Sequence, residues 1–190
     1  MFALVKNQTI TDPITQETSE IEVIKLFAPY TIWEDKNGTQ YGAESLLSLT
    51  VNQKQDLGIY DVVYGVSQDD RFYTITQNAP EFDSEQKIVK VTYTSTAKSL
   101  DDSGTEEMPV LGLKSQYIAQ FKDTANKLLA QTDWMLVRKI ERNVDIPAAT
   151  VAYRAAIIAE ADRLETAISG ATTINTFINA VNSASWPKAE

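Results

Sequence analysis

Apolar and polar positions alternate along the first ~98 residues with a period of two, and from residue 113 they recur every three or four. A period of two marks strands, because successive strand side chains face opposite sides of a sheet. Alternation with β-branched and aromatic enrichment predicts strands at Phe2–Val5, Ile21–Leu26, Tyr30–Glu34, Tyr60–Val66, Arg71–Gln77 and Lys87–Thr94. In the last of these, Ile88, Lys90, Thr92 and Thr94 alternate with Val89, Val91 and Tyr93, the pattern of a half-buried strand. Asp35-Lys36-Asn37-Gly38, between Trp33 and Tyr41, has the composition of a hairpin tip. One short helix is expected from about Ala43 to Asp56, stopped near Gly58.

The back segment carries four apolar stripes at helical spacing. The first holds Tyr117, Phe121, Ala125 and Leu128, flanked by Leu113, Ile118 and Leu129. Trp134, Val137, Ile140 and Val144 make the second, and Tyr153, Ile157, Ala161, Leu164 and Ile168 the third, which ends near Gly170. Ile174, Phe177, Ile178 and Val181 make the fourth. Pro147 suits the first turn of the third helix, with Asp145 as its expected cap. Asp133 is expected to start the second helix, its charge favouring the N-terminal dipole and its oxygen accepting backbone N–H groups. Short helices gain their stability by burying such stripes. These must therefore pack on one another, on the β-rich part, or on another chain, a second copy included.

The expected fold is α+β: a β-rich domain with one short helix over residues 1–98, an acidic linker over 99–112, and a helical, protein-binding region over 113–190. The linker, read from AKSLDDSGTEEMPVLG, has no sustained period. Its acidic cluster lacks the alternating ligands and distal Glu of an EF-hand loop, so a solvated segment is expected instead of a calcium site.

Charge is unevenly placed. Residues 1–109 hold 8 Lys and Arg against 18 Asp and Glu, and residues 110–190 hold 9 against 8; these balances of -10 and +1 give the -9 of the whole chain. An acidic front half argues against nucleic acid and against an anionic membrane surface as partners. No apolar run approaches the roughly 20 residues that span a bilayer, and Lys6 interrupts the N-terminus too early for a signal peptide, so a soluble chain is expected.

The chain has no His and no Cys, which removes Ser-His-Asp and Cys-His sites, thiolate metal sites and disulfides. Neither phosphate-binding glycine motif is present. Paired carboxylates remain as candidates for acid–base chemistry: Asp69-Asp70, Asp101-Asp102, Glu106-Glu107, and Glu160 with Asp162. Tandem pairs on extended chain point to opposite faces, so a structural or solvated role is expected for them. Arg138, Lys139 and Arg142 form a basic patch, either a solvated face or a contact surface for an acidic partner. Trp134 has two open fates, core packing or docking to another chain; Trp186-Pro187 is either tied onto the body or presented to a partner.

Two stretches resemble proteins encoded beside tail-fibre genes in bacteriophages. In ESLLSLTVNQKQDLGIYDVVYGVSQDDRFYTIT, residues 44–76, a short helix ends in Leu57-Gly58, a strand follows at Ile59–Val63, and Asp70-Arg71-Phe72-Tyr73 opens another; this is similar to tail-fibre assembly proteins. The second stretch, LLAQTDWMLVRKIERN with NVDIPAATVAYRAA, is similar to phage tail assembly chaperones. It supplies Leu128 and Leu129, then Thr132-Asp133-Trp134, Pro147, and Tyr153-Arg154, with Trp186-Pro187 near the C-terminus. Beyond Tyr153-Arg154 the chain departs from that pattern by continuing into a long helix and a further short one.

The resemblance implies a non-enzymatic protein without cofactor or metal that acts in the host cytoplasm during virion assembly. It implies binding to a tail-fibre or baseplate protein, with Trp134, Arg138, Tyr153, Arg154 and Trp186 as expected contact residues. The alternative is a resident structural component of the viral tail, such as a baseplate or fibre adaptor.

Overall fold

The computed structural model describes residues 1–11 and 18–188. In chain order its strands are β1 (Phe2–Thr11), β2 (Thr18–Phe27), β3 (Trp33–Glu34), β4 (Gln40–Tyr41), β5 (Ile59–Tyr64), β6 (Tyr73–Gln77), β7 (Glu81–Asp83), β8 (Ile88–Val91), β9 (Tyr93–Ala97), β10 (Ser103–Gly104) and β11 (Pro109–Val110). Its α-helices are α1 (Val51–Asp56), α2 (Leu113–Ala130), α3 (Asp133–Arg142), α4 (Ala148–Ser169) and α5 (Ile174–Asn182). The fold is α+β, a β-rich N-terminal region built on a half-barrel sheet followed by α2–α5. Two compact units divide the chain: Met1–Gln68 with Ile75–Ser95, and Asp69–Thr74 with Thr96–Glu190.

The first unit is organised by β1. Its full length pairs antiparallel with β2, and Phe2–Leu4 pair with β5 on the other side, giving the order β2-β1-β5-β8-β7 with β5 and β8 parallel. Alternation along β1 feeds two apolar clusters, one on each face. Leu4 joins Trp33, Leu46 and Ile59, while Ala3 and Val5 join Val89 with Ile24, Leu26, Tyr60, Val62 and Phe82 around them. The tip expected at Asp35–Gly38 is present: β3 pairs with β4, and the Trp33 and Tyr41 rings stack 4.3 Å apart. Asp35 is the buried polar residue of this turn. Its carboxylate accepts the Asn37 and Thr39 backbone N–H groups and the Tyr41 hydroxyl, and the Thr39 bond leads in holding it below the ordinary carboxylate range.

Several boundaries differ from the expected ones for local reasons. The expected helix from Ala43 to Asp56 is broken into a 3-10 turn at Ser45–Ser48 and α1. Thr50 restarts the chain by forming a capping box with Gln53, and Leu49 before it is extended. Gly58 follows α1 at φ 80, with Val5 O only 2.9 Å from where a Cβ would stand, so a side chain there would be strained and crowded. The expected strand Lys87–Thr94 splits at Thr92, and its second part, β9, pairs with β6 and not with the five-stranded sheet.

The second unit is built on the four helical stripes. Phe72, Leu113, Ile168, Ala171, Phe177, Ala180 and Val181 form its buried cluster, with Tyr117, Ile118, Phe121, Ile174 and Ile178 packed against it. Phe72, which belongs to the Asp-Arg-Phe-Tyr stretch, is therefore a core residue of the helical unit. Its ring lies 5.8 Å from Tyr117 and 6.0 Å from Phe177. Within the segment expected as an acidic linker, β10 and β11 form a small hairpin. The chain on either side of it completes the start of α2: Ser99 O and Leu100 O accept the Leu113 and Lys114 N–H groups. Asp102 accepts the Gly112 N–H and the Ser115 hydroxyl. These bonds satisfy N–H groups that a helix start leaves without intrahelical partners. Among the described residues, no helix is long and apolar enough to cross a membrane.

Candidate functional site

The second stripe is where the helical unit departs from ordinary packing. α3 carries a strongly one-sided apolar face, yet none of its residues is buried. Leu136 is 37% exposed, Val144 just beyond the helix 42%, Val137 52%, Trp134 53% and Ile140 84%. At about 100° per residue these five fall on one arc of the helix, while Met135, Arg138 and Arg142 fall on the opposite side. Of those three, Met135 and Arg138 are half-buried. The helix thus shows its apolar side outward, the reverse of an ordinary surface helix.

Polar contacts, and not apolar burial, hold α3 in this attitude. The Arg154 side chain on α4, only 16% exposed, pairs with Asp133 at 2.9 Å. Its Nη1 also donates to Leu129 O at 2.8 Å and to Thr132 Oγ1 at 2.6 Å. One guanidinium therefore joins the end of α2, the corner after it and the first turn of α3. Asp133 is the first residue of α3, as expected, but makes no side-chain capping bond; its carboxylate is taken up by Arg154. Its charge still stands at the positive end of the helix, with Lys139 and Arg142 in the last turn. Asn143 ends the helix in the left-handed conformation, φ 51. Asp145 does not cap α4, which starts after Pro147 without a side-chain cap; it pairs with Lys139 at 3.2 Å.

The expected contact residues fall into three places. Trp134 and Arg138 are together on α3, the guanidinium carbon 4.9 Å from the indole centroid. Tyr153 lines a groove of about 460 Å³ with Gln131, Thr132, Met135, Ala149, Thr150, Ala152, Ala156, Pro187 and Lys188. Arg154 is committed within the chain, as described. Trp186 is tied down: half-buried, its ring is 6.3 Å from that of Phe121. Leu136 and Met135 lie outside the expected contact set although they sit between expected positions on the same helix; Pro187, singled out with Trp186, lines the groove. The apolar pattern marked a buried stripe there, and nothing local distinguishes a stripe that is buried from one that is not.

The C-terminal tail is held by a second ionic contact. Arg163 and Glu160 pair at 2.7 Å; Arg163 also donates to Ser183 O, and Glu160 accepts the Ser185 N–H at 2.7 Å. The Arg163 hydrogen bond is the leading cause that holds Glu160 below its ordinary value of 4.5, ahead of the Ser185 N–H. A depressed folded-state value means that the contact is complete above the ordinary value and is lost as the pH falls through the depressed one. The indole N–H resonance of Trp186, followed from about pH 6 to about pH 3, should therefore move towards its solvent-exposed position at the acid end. In Glu160→Gln it should begin displaced; an unmoved resonance in that variant would refute the tether.

Four of the carboxylate candidates, Asp69, Asp101, Asp102 and Glu160, are used structurally. Asp69 clasps Arg71 two residues away, Asp101 pairs with Lys114, and Asp102 serves the start of α2. None of them lines the groove beside Tyr153. Among the described residues, no group of three or more acidic side chains is arranged to hold a metal ion. The arrangement at α3 supports recognition of an apolar surface. No protein-family model matches this chain, and comparison with curated proteins and with solved structures gives no significant match.

Proposed function

We propose that this protein is an assembly factor for a bacteriophage tail fibre, binding the fibre protein through the outward face of α3 and the adjoining groove. The observation that carries this is the exposed apolar arc of Trp134, Val137 and Ile140 on a helix with no buried residue. A half-exposed indole flanked by an arginine and aliphatic side chains has the composition of a binding hot spot. The groove beside it adds Tyr153 and Pro187 as apolar walls and Thr132 as a polar rim. The client identity comes from the resemblance of Thr132-Asp133-Trp134 with Tyr153-Arg154, and of Asp70-Arg71-Phe72-Tyr73, to tail-fibre assembly proteins. In this reading Arg154 is a positioning residue that fixes the direction in which α3 faces.

Coexpression with the tail-fibre protein of the same phage tests the proposal. The fibre protein should be recovered soluble and trimeric only when this chain is present. Trp134→Ala should weaken the association by about 30-fold or more. The same substitution should leave the melting temperature within a few degrees, because the side chain is half exposed. Fibre folding that is indifferent to this chain would overturn the assignment.

A further inference from the structure

The half-barrel sheet ends in two edge strands, β2 and β7, and its ladders fix which main-chain groups are free there. Val5 N–H donates to Gly58 O and Val62 N–H to Met1 O. Odd-numbered residues of β1 therefore turn their main-chain groups towards β5, and even-numbered ones towards β2. Through the register Leu4↔Lys25 and Lys6↔Val23, the odd-numbered residues of β2 complete that second ladder. Glu20, Glu22, Ile24 and Leu26 then direct their N–H and C=O groups outward from the sheet edge. At the other edge, Gly65 N–H donates to Val91 O, which commits the odd-numbered residues of β8 to β5 and its even-numbered ones to Glu81 and Asp83. In β7 this leaves Phe82 turned outward, and Pro80 before it has no N–H to offer.

Between the two edges lies a groove of about 660 Å³, walled by Glu22, Val23 and Ile24 on one side and Pro80, Glu81 and Phe82 on the other. The side chains of Ile24, Leu26 and Phe82 belong to the cluster around Val89, and all three are only half-buried. Glu20 and Glu22 share the sheet face of Ile24 and Leu26, because side chains alternate along a strand. Glu20, Glu22 and Glu81 are exposed, and among the described residues none of them is in an ion pair. The lysines of this sheet, Lys6, Lys25 and Lys90, pair with Glu34 and Asp83 instead.

We infer that the free edge of β2 takes up an extended, lysine- or arginine-bearing peptide as an added antiparallel strand. Such a strand sets apolar residues beside Leu26 and Ile24 and cations beside Glu22 and Glu20, in the order apolar-x-apolar-x-cation-x-cation. Pairing with β2 of a second copy over most of its length would set glutamates opposite one another or opposite Ile24 and Leu26. The edge therefore repels its own copy and admits a cationic strand. β7 is guarded by its length of three residues and by Pro80, whereas β2 runs for ten residues without a proline. The site lies wholly within the first unit, shares no residue with the face of α3, and stands whatever that face binds.

Fluorescence anisotropy of a labelled peptide, Val-Thr-Val-Thr-Lys-Thr-Lys, titrated with the full chain tests it. Binding should saturate as the protein is concentrated into the high-micromolar range. Glutamate in place of both lysines should weaken it by about 10-fold or more, and Glu20→Lys with Glu22→Lys should invert that preference. N-methylation of the second valine, opposite Ile24, removes a donor aimed at β2 and should cost about 10-fold. The same change at the last threonine, whose N–H points away from β2, should leave binding as it was. In amide exchange the peptide should protect Glu20, Glu22, Ile24 and Leu26, while Ile21, Val23 and Lys25, already bonded to β1, stay unchanged. A peptide that does not bind, binding indifferent to the position of the N-methyl group, or protection confined to residues outside β2 overturns the inference. Protection of the same four amides that grows with protein concentration in the absence of peptide would show pairing of two copies, and overturns it as well.

Discussion

Replacing Phe177 with alanine should lower the stability of the helical unit by about 4 kcal/mol. Phe177 is fully buried, and its ring meets Phe72 at 6.0 Å and Tyr117 at 5.4 Å, both edge to face. Truncation removes the transfer free energy of the ring, both aromatic contacts, and the packing of the atoms left around the cavity. The site is closed in by α2, α4, α5 and the Phe72 segment, so it has little room to collapse. For a unit of this size the loss corresponds to a melting temperature lower by roughly 15–25 °C. Phe177→Leu, which keeps most of the volume, should cost much less. Thermal denaturation followed by circular dichroism checks both; a shift of only a few degrees for the alanine variant would mean that the aromatic cluster is not the core of this unit.

Arg154→Ala should cost about 2–3 kcal/mol, and its effect should be concentrated on one helix. The substitution leaves Asp133 without its partner and removes donors from Leu129 O and Thr132 Oγ1. Because α3 buries none of its residues, this contact supplies much of what fixes its direction. Amide exchange should therefore accelerate in Asp133–Arg142 well before it does in α2, α4 or α5. Arg154→Lys should recover only part of the loss, since all three contacts are made by the terminal Nη1 and the shorter lysine side chain holds its ammonium short of that position. Equal acceleration in all four helices would show that Arg154 supports the whole unit and is no specific clamp of α3.

These two residues illustrate how differently parts of the molecule were legible. Phe177 sits on a stripe whose period declares a buried helix face, and the structure buries it. By its local pattern Phe72 belongs to the opening of a strand. Its place in the helical core depends on contacts with Tyr117 and Phe177, far away in sequence, which no local pattern encodes. Arg154 was legible as part of a motif but not in its role. Tyr-Arg twenty residues after Asp-Trp says that the pair belongs together, not that the arginine turns inward to hold the aspartate. Asp145 shows the reverse error: a good capping residue at the right spacing was claimed by Lys139 on the preceding helix.

The sequence by itself determined the α+β class, most of the strands and the four helices that follow them in order. Hydrophobic period, capping residues and turn residues act over a few positions, and those signals survive without tertiary context. It also determined the absence of histidine and cysteine chemistry, because composition is independent of folding. Only the tertiary structure decided which apolar stripes are covered. The stripes of α2, α4 and α5 and that of α3 look alike in sequence, yet three converge on one cluster while Trp134, Val137 and Ile140 stay outside. Burial depends on what a face meets: the faces of α2, α4 and α5 meet one another, and that of α3 meets none of them.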